Sequence, residues 1–152
     1  MVSDMVDLNG IKIIFVAGFG PVVRDHNASL AVYSEILDLP LTQMPGDPTY
    51  YHVESIEGVK HFALWPLSHA AQSCFGTNHW PQDIDVPQAW LEFDVADIRT
   101  ATDTVKAKGV RLLVEARMEP WGQTVTRFIS PEGILVALTD TPWLRRIRRE
   151  SS

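Results

Sequence analysis

Apolar and polar positions fall in the same order twice along this chain. A β-branched and aromatic run at residues 11–16 reads as a strand. Gly18-Phe19-Gly20-Pro21 interrupts it as a bulge or bend, and Val22-Val23 resumes it. Residues 27–37 are amphipathic, with Leu30, Tyr33, Ile36 and Leu37 on one helical face. Asp25 or Asn27 offers the short side-chain oxygen that caps the free amides of a first turn. Apolar runs near 41–44, 50–54 and 61–65 then predict short strands, parted by turns at Pro45-Gly46-Asp47-Pro48 and Glu57-Gly58.

The order returns from Ala89. Leu91, Phe93 and Val95 alternate with Trp90, Glu92 and Asp94, so the first set faces a helix and the second the opposite side of the sheet. A second helix is predicted from Asp97 to Lys108, with Ile98, Ala101 and Val105 on its buried stripe and Gly109 ending it. Strands follow near 111–115, 123–129 and 134–139, the last two joined by Pro131-Glu132-Gly133. The two helix-opening aspartates, Asp25 and Asp97, stand 72 positions apart. The pattern predicts an α+β fold. Two βαβββ modules, residues 11–66 and 89–140, form a curved mixed sheet around a cavity. Residues 67–88 are the linker loop, expected to serve as lid, binding loop or crossover. Residues 1–10 read as a loose leader and 141–152 as a basic tail.

Composition narrows the function classes. A chain of 152 residues, 45% of them apolar, fits one compact domain or two intimate halves. The net charge is −6, and the tail from Thr141 carries +3, which leaves −9 on the body. That balance argues against nucleic acid as a partner. The run Arg145-Arg146-Ile147-Arg148-Arg149 reads as a frayed, solubilising end. Cys74 is the only cysteine, so no intrachain disulfide forms and a reducing compartment is expected. No leader peptide and no apolar stretch of about 20 residues is visible, so the expectation is a soluble, cytoplasmic protein with no membrane contact.

Val23-Arg24-Asp25, the stretch Tyr33-Ser34-Glu35-Ile36-Leu37-Asp38-Leu39-Pro40, and Phe93-Asp94-Val95-Ala96-Asp97 resemble the vicinal oxygen chelate superfamily. That group holds glyoxalase I, extradiol dioxygenases, and fosfomycin- and bleomycin-resistance proteins. Glu119-Pro120-Trp121-Gly122-Gln123 and Phe128-Ile129-Ser130-Pro131-Glu132-Gly133 look like its closing hairpin. The resemblance spans about residues 13–139 and implies paired modules, usually as a homodimer. It is specific for fold and weak for activity. Metal enzymes of the family take ligands from four places, which fall here near Gly18, Ala63, Trp90 and Ala137. None can hold a divalent ion. The pattern is therefore closest to the metal-free, bleomycin-resistance-like branch, with no cofactor expected.

The lining expected for a metal-free cavity is aromatic: Trp65, Trp90 and Trp121, bordered by Tyr50, Tyr51 and Trp80. The competing reading is that these rings simply fill the core. Glu92 shares a strand face with Trp90, and either polarises a ligand, acts as a base, or is structural. His61 is the other weak catalytic candidate. His26 and His52 read as surface or capping residues, and His69 and His79 with Cys74 fit no zinc spacing. Thr124 and Thr126 are expected to offer hydroxyls to the cavity, with Arg127 turned outward or into a subunit interface. The leading expectation is capture of an aromatic or amphipathic small molecule, cationic by preference because the body is acidic. The alternative is a metal-dependent lyase, isomerase or dioxygenase of the same superfamily. A third reading is an interaction module with a vestigial cavity.

Overall fold

The computed structural model describes residues 10–145. Among the described residues, eight strands form one open mixed sheet, accompanied by short helical segments. The first half runs β1 (Ile13–Val23), α1 (His26–Leu30), β2 (Thr42–Met44), β3 (Asp47–Val53) and β4 (Phe62–Pro66). After α2 (Leu67–Phe75) come β5 (Ala89–Val95), α3 (Ile98–Ala107), β6 (Val114–Met118), β7 (Thr124–Ile129) and β8 (Ile134–Asp140). The strand order is β2-β3-β4-β1-β5-β8-β7-β6. The halves mirror each other about an antiparallel β1–β5 seam: β4 lies parallel to β1, and β8 parallel to β5. This is the α+β, paired βαβββ arrangement expected from the repeated pattern.

Helices α1 and α3 cover one face. Val23, Val53, Phe62 and Leu64 pack with Leu30 and Tyr33 in the first half. Val95, Ala101, Val105 and Leu138 pack with Phe93 and Ile98 in the second. The alternation of residues 89–95 is thus as expected, with Phe93 and Val95 meeting the helix and Trp90 opposite. Asp25 caps α1 by accepting from the Ala28 amide at 3.1 Å. Asp97 caps α3 by accepting from the amides of Arg99 and Thr100 at 3.1 and 3.2 Å. The hydrogen bond from Thr100, more than any charge, holds the Asp97 carboxyl below its ordinary pKa.

Three local expectations are corrected. The glycine-rich segment at 18–21 does not break β1, which runs through it and absorbs two irregularities, before Phe15 and before Gly18. The first helix does not run to Leu37 as an α-helix: after α1 it widens into a π segment, Ala31–Ile36, closed by a bond from the Leu37 amide to the Val32 carbonyl. The wider turn rotates later positions off the 3.6-residue stripe. Leu30 and Tyr33 stay on the core, while Ile36 is 73% exposed and Leu37 also faces solvent. The connection 67–88 is not all loop, because it holds α2, ended by Gly76 in the left-handed region.

The basic tail lies partly within view. Arg145 is not frayed. Its Nε donates to Asp94 Oδ2 at 2.7 Å, and its guanidinium also reaches the Val95 carbonyl. The remaining arginines of that run, and the leader before Gly10, lie outside the described residues.

Candidate functional site

The concave face of the sheet is filled by the chain itself. Trp90, 3% exposed, lies across β1 and donates its indole N–H to the Ala63 carbonyl at 3.2 Å. Gly18 and Gly20 make this possible. A Cβ at Gly20 would stand 3.0 Å from Trp90 Nε1 and 2.1 Å from the Ala63 oxygen. A Cβ at Gly18 would meet the His61 carbonyl at 2.6 Å. Trp65 packs edge-on to Trp90, and α2 closes the space with Ala70 and Cys74. Small side chains on α2 let its backbone approach the sheet.

Arg127 occupies the middle of this packing, 1% exposed, and is the largest correction to the sequence reading. The sequence pattern turns it outward or into a subunit interface. It stacks 4.9 Å above Trp65, pairs with Glu92 at 3.3 Å and donates from Nε to Ser73 Oγ at 3.2 Å. Glu119, also buried, lies 4.0 Å from it and accepts from Ser73 Oγ at 2.8 Å. A buried guanidinium is tolerated when carboxylates surround it. Its partners come from β5, from α2 and from the turn before β7, so no local sequence window announces them. Glu92 is therefore committed. It holds Arg127 and accepts from Gln123 Nε2 at 3.0 Å.

The inward position of Arg127 sends its neighbours the other way. Thr126 packs on the α3 face, hydrogen-bonded to Thr102 and accepting from the Ala116 amide at 2.9 Å. Thr124 sits near the strand end, its hydroxyl toward Met118 Sδ at 3.8 Å. Tyr51 likewise faces α1, with its hydroxyl donating to Gln43 at 3.3 Å, so Tyr50 is the tyrosine on the concave side. Trp121 is 54% exposed at the β6–β7 turn, tied to Gln123 by a 2.9 Å hydrogen bond.

His61 is joined to two residues that the sequence reading did not assign to the site. His52 Nδ1 and His61 Nδ1 each lie 2.6 Å from the same oxygen, Glu54 Oε2. On its other nitrogen His61 meets the Tyr50 hydroxyl at 2.7 Å. The β3–β4 register explains the cluster. His52 pairs Ala63 and Val53 pairs Phe62, so the next step sets Glu54 opposite His61. His52 and Glu54, two apart, share a face. The signal was present as His-x-Glu and a histidine seven residues later, across the Glu57-Gly58 turn. Burial, then the negative charges of Glu92, Glu54 and Asp47, keep the Tyr50 phenol protonated well above its usual range.

A separate cleft of about 330 Å³ opens at the end of the first half. Val23, Pro66, Leu67 and Trp80 give it apolar walls, and Arg24, His26 and His79 give it basic ones. Trp80 is fixed by a 2.9 Å bond from its indole N–H to the Ile84 carbonyl and by edge contact with Phe75. Of the aromatic residues expected at a cavity, Trp80 alone lines this one.

The glyoxalase-like domain model matches residues 18–142. The chain belongs to the glyoxalase-like family. Among solved structures, this glyoxalase-like protein is similar to a glyoxalase/bleomycin resistance/dioxygenase superfamily member from Vibrio splendidus. The two share 15% identity over 86% of this chain and 99% of that one, with a TM-score of 0.52. It is also similar to a hypothetical protein from Bacillus halodurans, 19% identical over 83% and 93%, TM-score 0.54. A Streptomyces coelicolor methylmalonyl-CoA epimerase is 15% identical over 84% and 97%, TM-score 0.51. At these identities the likeness is one of fold. No curated protein matches the sequence significantly.

The four places that the resemblance implies for metal ligands do not fit a divalent ion in this chain. Gly18, Ala63 and Ala137 carry no donor, and the Trp90 indole occupies the space. A register slip does not restore the set, since Glu92 is held by Arg127 and Gln123.

Proposed function

We propose that this glyoxalase-like protein captures an amphipathic small molecule, with an apolar face and an anionic group, in the cleft beside Trp80. The observation that carries the reading is the cleft itself. Its volume of about 330 Å³ suits a small ligand, whereas the sheet's concavity is packed with Trp65, Trp90 and Arg127. The acidic body argued for a cationic ligand. The wall chemistry argues the reverse, because Arg24, His26 and His79 line the cleft and no carboxylate does. Stacking on Trp80 and apolar contact with Leu67 supply affinity, and Arg24 supplies orientation.

The lyase, isomerase or dioxygenase alternative has no four-donor set at the family places, which ranks it second. Homodimerisation is part of the same proposal. It is supported by the exposed apolar side chains of Ile13, Val16 and Phe19 on β1 and of Ile36 and Leu37 beyond α1.

Titration with 8-anilinonaphthalene-1-sulfonate and with aryl carboxylates, read by fluorescence, tests the capture. The expectation is saturable one-to-one binding, weakened at least several-fold by Arg24→Ala and abolished by Leu67→Trp, which fills the cleft. Binding that survives Leu67→Trp in a folded variant would place the ligand elsewhere and end this reading.

A further inference from the structure

We propose that His52, Glu54 and His61 form a binding site for a borderline divalent cation such as zinc, displaced from the family's metal position to the β3–β4 hairpin. The inference goes beyond small-molecule capture and does not depend on it. One donor atom from each of His52, Glu54 and His61 lies within 4.8 Å of the other two, and both histidine Nδ1 atoms stand 2.6 Å from Glu54 Oε2. Two imidazoles and one carboxylate are the donor set of zinc and of neighbouring transition metals.

The histidines are held as ligands need to be. Adjacent antiparallel strand positions fix both rings, which stack with centroids 5.7 Å apart. Donors around a tetrahedral ion with bonds near 2.0–2.1 Å stand roughly 3.3 Å apart. The present 2.6 Å contacts to Glu54 must therefore open slightly. Glu54 is able to give way, since its side chain is 48% exposed while the two rings are largely covered. Its exposed side also leaves room for water or a ligand to complete the coordination.

Tyr50 completes the device. When His61 Nδ1 binds a cation, its Nε2 carries the proton and donates to the Tyr50 hydroxyl, 2.7 Å away. Without the cation, the tautomer reverses: Nδ1–H donates to Glu54, and Tyr50 donates to Nε2. A hydroxyl serves either role, so the hydrogen bond survives both states. The nearby Lys60 ammonium is directed over the Phe15 ring, 4.9 Å from its centroid.

The site is distinct from the family's four places. Among those, only Ala63 lies in this hairpin, and His61, just before β4, stands two residues ahead of it.

The test is calorimetric titration of the untagged, chelator-stripped protein with Zn²⁺, joined by visible absorption on adding Co²⁺. One equivalent bound, with a Co²⁺ spectrum of nitrogen and oxygen ligation, is expected. His52→Ala and His61→Ala should each weaken binding by about 100-fold or more, and Tyr50→Phe by about tenfold, the usual cost of a lost outer partner. Glu54→Gln is near-isosteric and covers the case in which a histidine variant fails to fold; circular dichroism reports folding for each. Absence of saturable binding, or a dissociation constant unchanged in folded Glu54→Gln and His61→Ala proteins, overturns the assignment. Either result is independent of ligand capture in the cleft, which is read with a different probe.

Discussion

Trp90 donates its indole N–H to the Ala63 carbonyl at 3.2 Å. The sequence resemblance implies metal ligands at both positions, and here the two residues are bonded to each other. The bond links β5 to β4 over the glycines of β1 and makes this part of the concave face core. Removing the indole empties that space. Trp90→Ala is expected to cost about 3–5 kcal/mol, measured by urea unfolding. A loss below about 1 kcal/mol would mean that the concavity is not packed around Trp90.

The glycines of β1 make a second, opposite prediction. Restoring a family-type donor with Gly18→His should destabilise the protein and gain no metal, because its Cβ meets the His61 carbonyl at 2.6 Å. The same holds for Gly20→Ala, whose Cβ meets backbone at 2.1 Å and has no flexible neighbour to displace. Thermal melting of both variants checks this. An unchanged melting temperature would contradict the close approach of β1 and β4.

Arg127 is the cation of the half-buried Glu92, so its loss should be felt through that carboxylate. Arg127→Met leaves Glu92 without its cation, while Glu119 keeps Arg117 at 3.1 Å, and is expected to cost about 3 kcal/mol. Combining it with Glu92→Gln should recover a large part of that loss, since the cost lies in uncompensated charge rather than in missing volume. Chemical denaturation of the single and double variants makes the comparison.

Cys74 provides a pH signature. Burial pushes its thiol up to about 11 from an ordinary value of 9.0. Between these values the unfolded chain has released a proton that the folded chain keeps. The stabilisation is thus whole below pH 9 and falls as the pH rises toward 11, by up to about 3 kcal/mol. Cys74→Ala should flatten that part of the stability–pH curve. In the native protein the thiol should resist Ellman's reagent at neutral pH until the chain unfolds.

Much of the fold was written locally. Asp25 and Asp97 begin helices because a carboxylate one residue ahead of a turn satisfies free amides, whatever lies beyond. Leu91, Phe93 and Val95 alternate with Trp90, Glu92 and Asp94 because a strand has two faces. The turn at Glu57-Gly58 and the sequence His-x-Glu before it were equally readable, and strand register alone would have brought His61 to Glu54. The π segment was not legible, since its hydrogen bonds, one residue longer than those of an α-helix, leave no mark in the periodicity.

The sequence by itself determined the paired modules, the curved sheet with two helices on one face, and the lack of donors at Gly18, Ala63, Trp90 and Ala137. Those features follow from periodicity, capping and side-chain chemistry at single positions. Only the tertiary structure decided that Arg127 turns inward, that Thr126 and Tyr51 turn away, and that an open cleft lies beside Trp80. The reason is physical. A charge is buried only where distant partners converge, and Glu92, Glu119 and Ser73 meet Arg127 from separate elements. Once that guanidinium is inside, strand alternation fixes its neighbours, and the cleft beside Trp80 lies apart from the packed concavity.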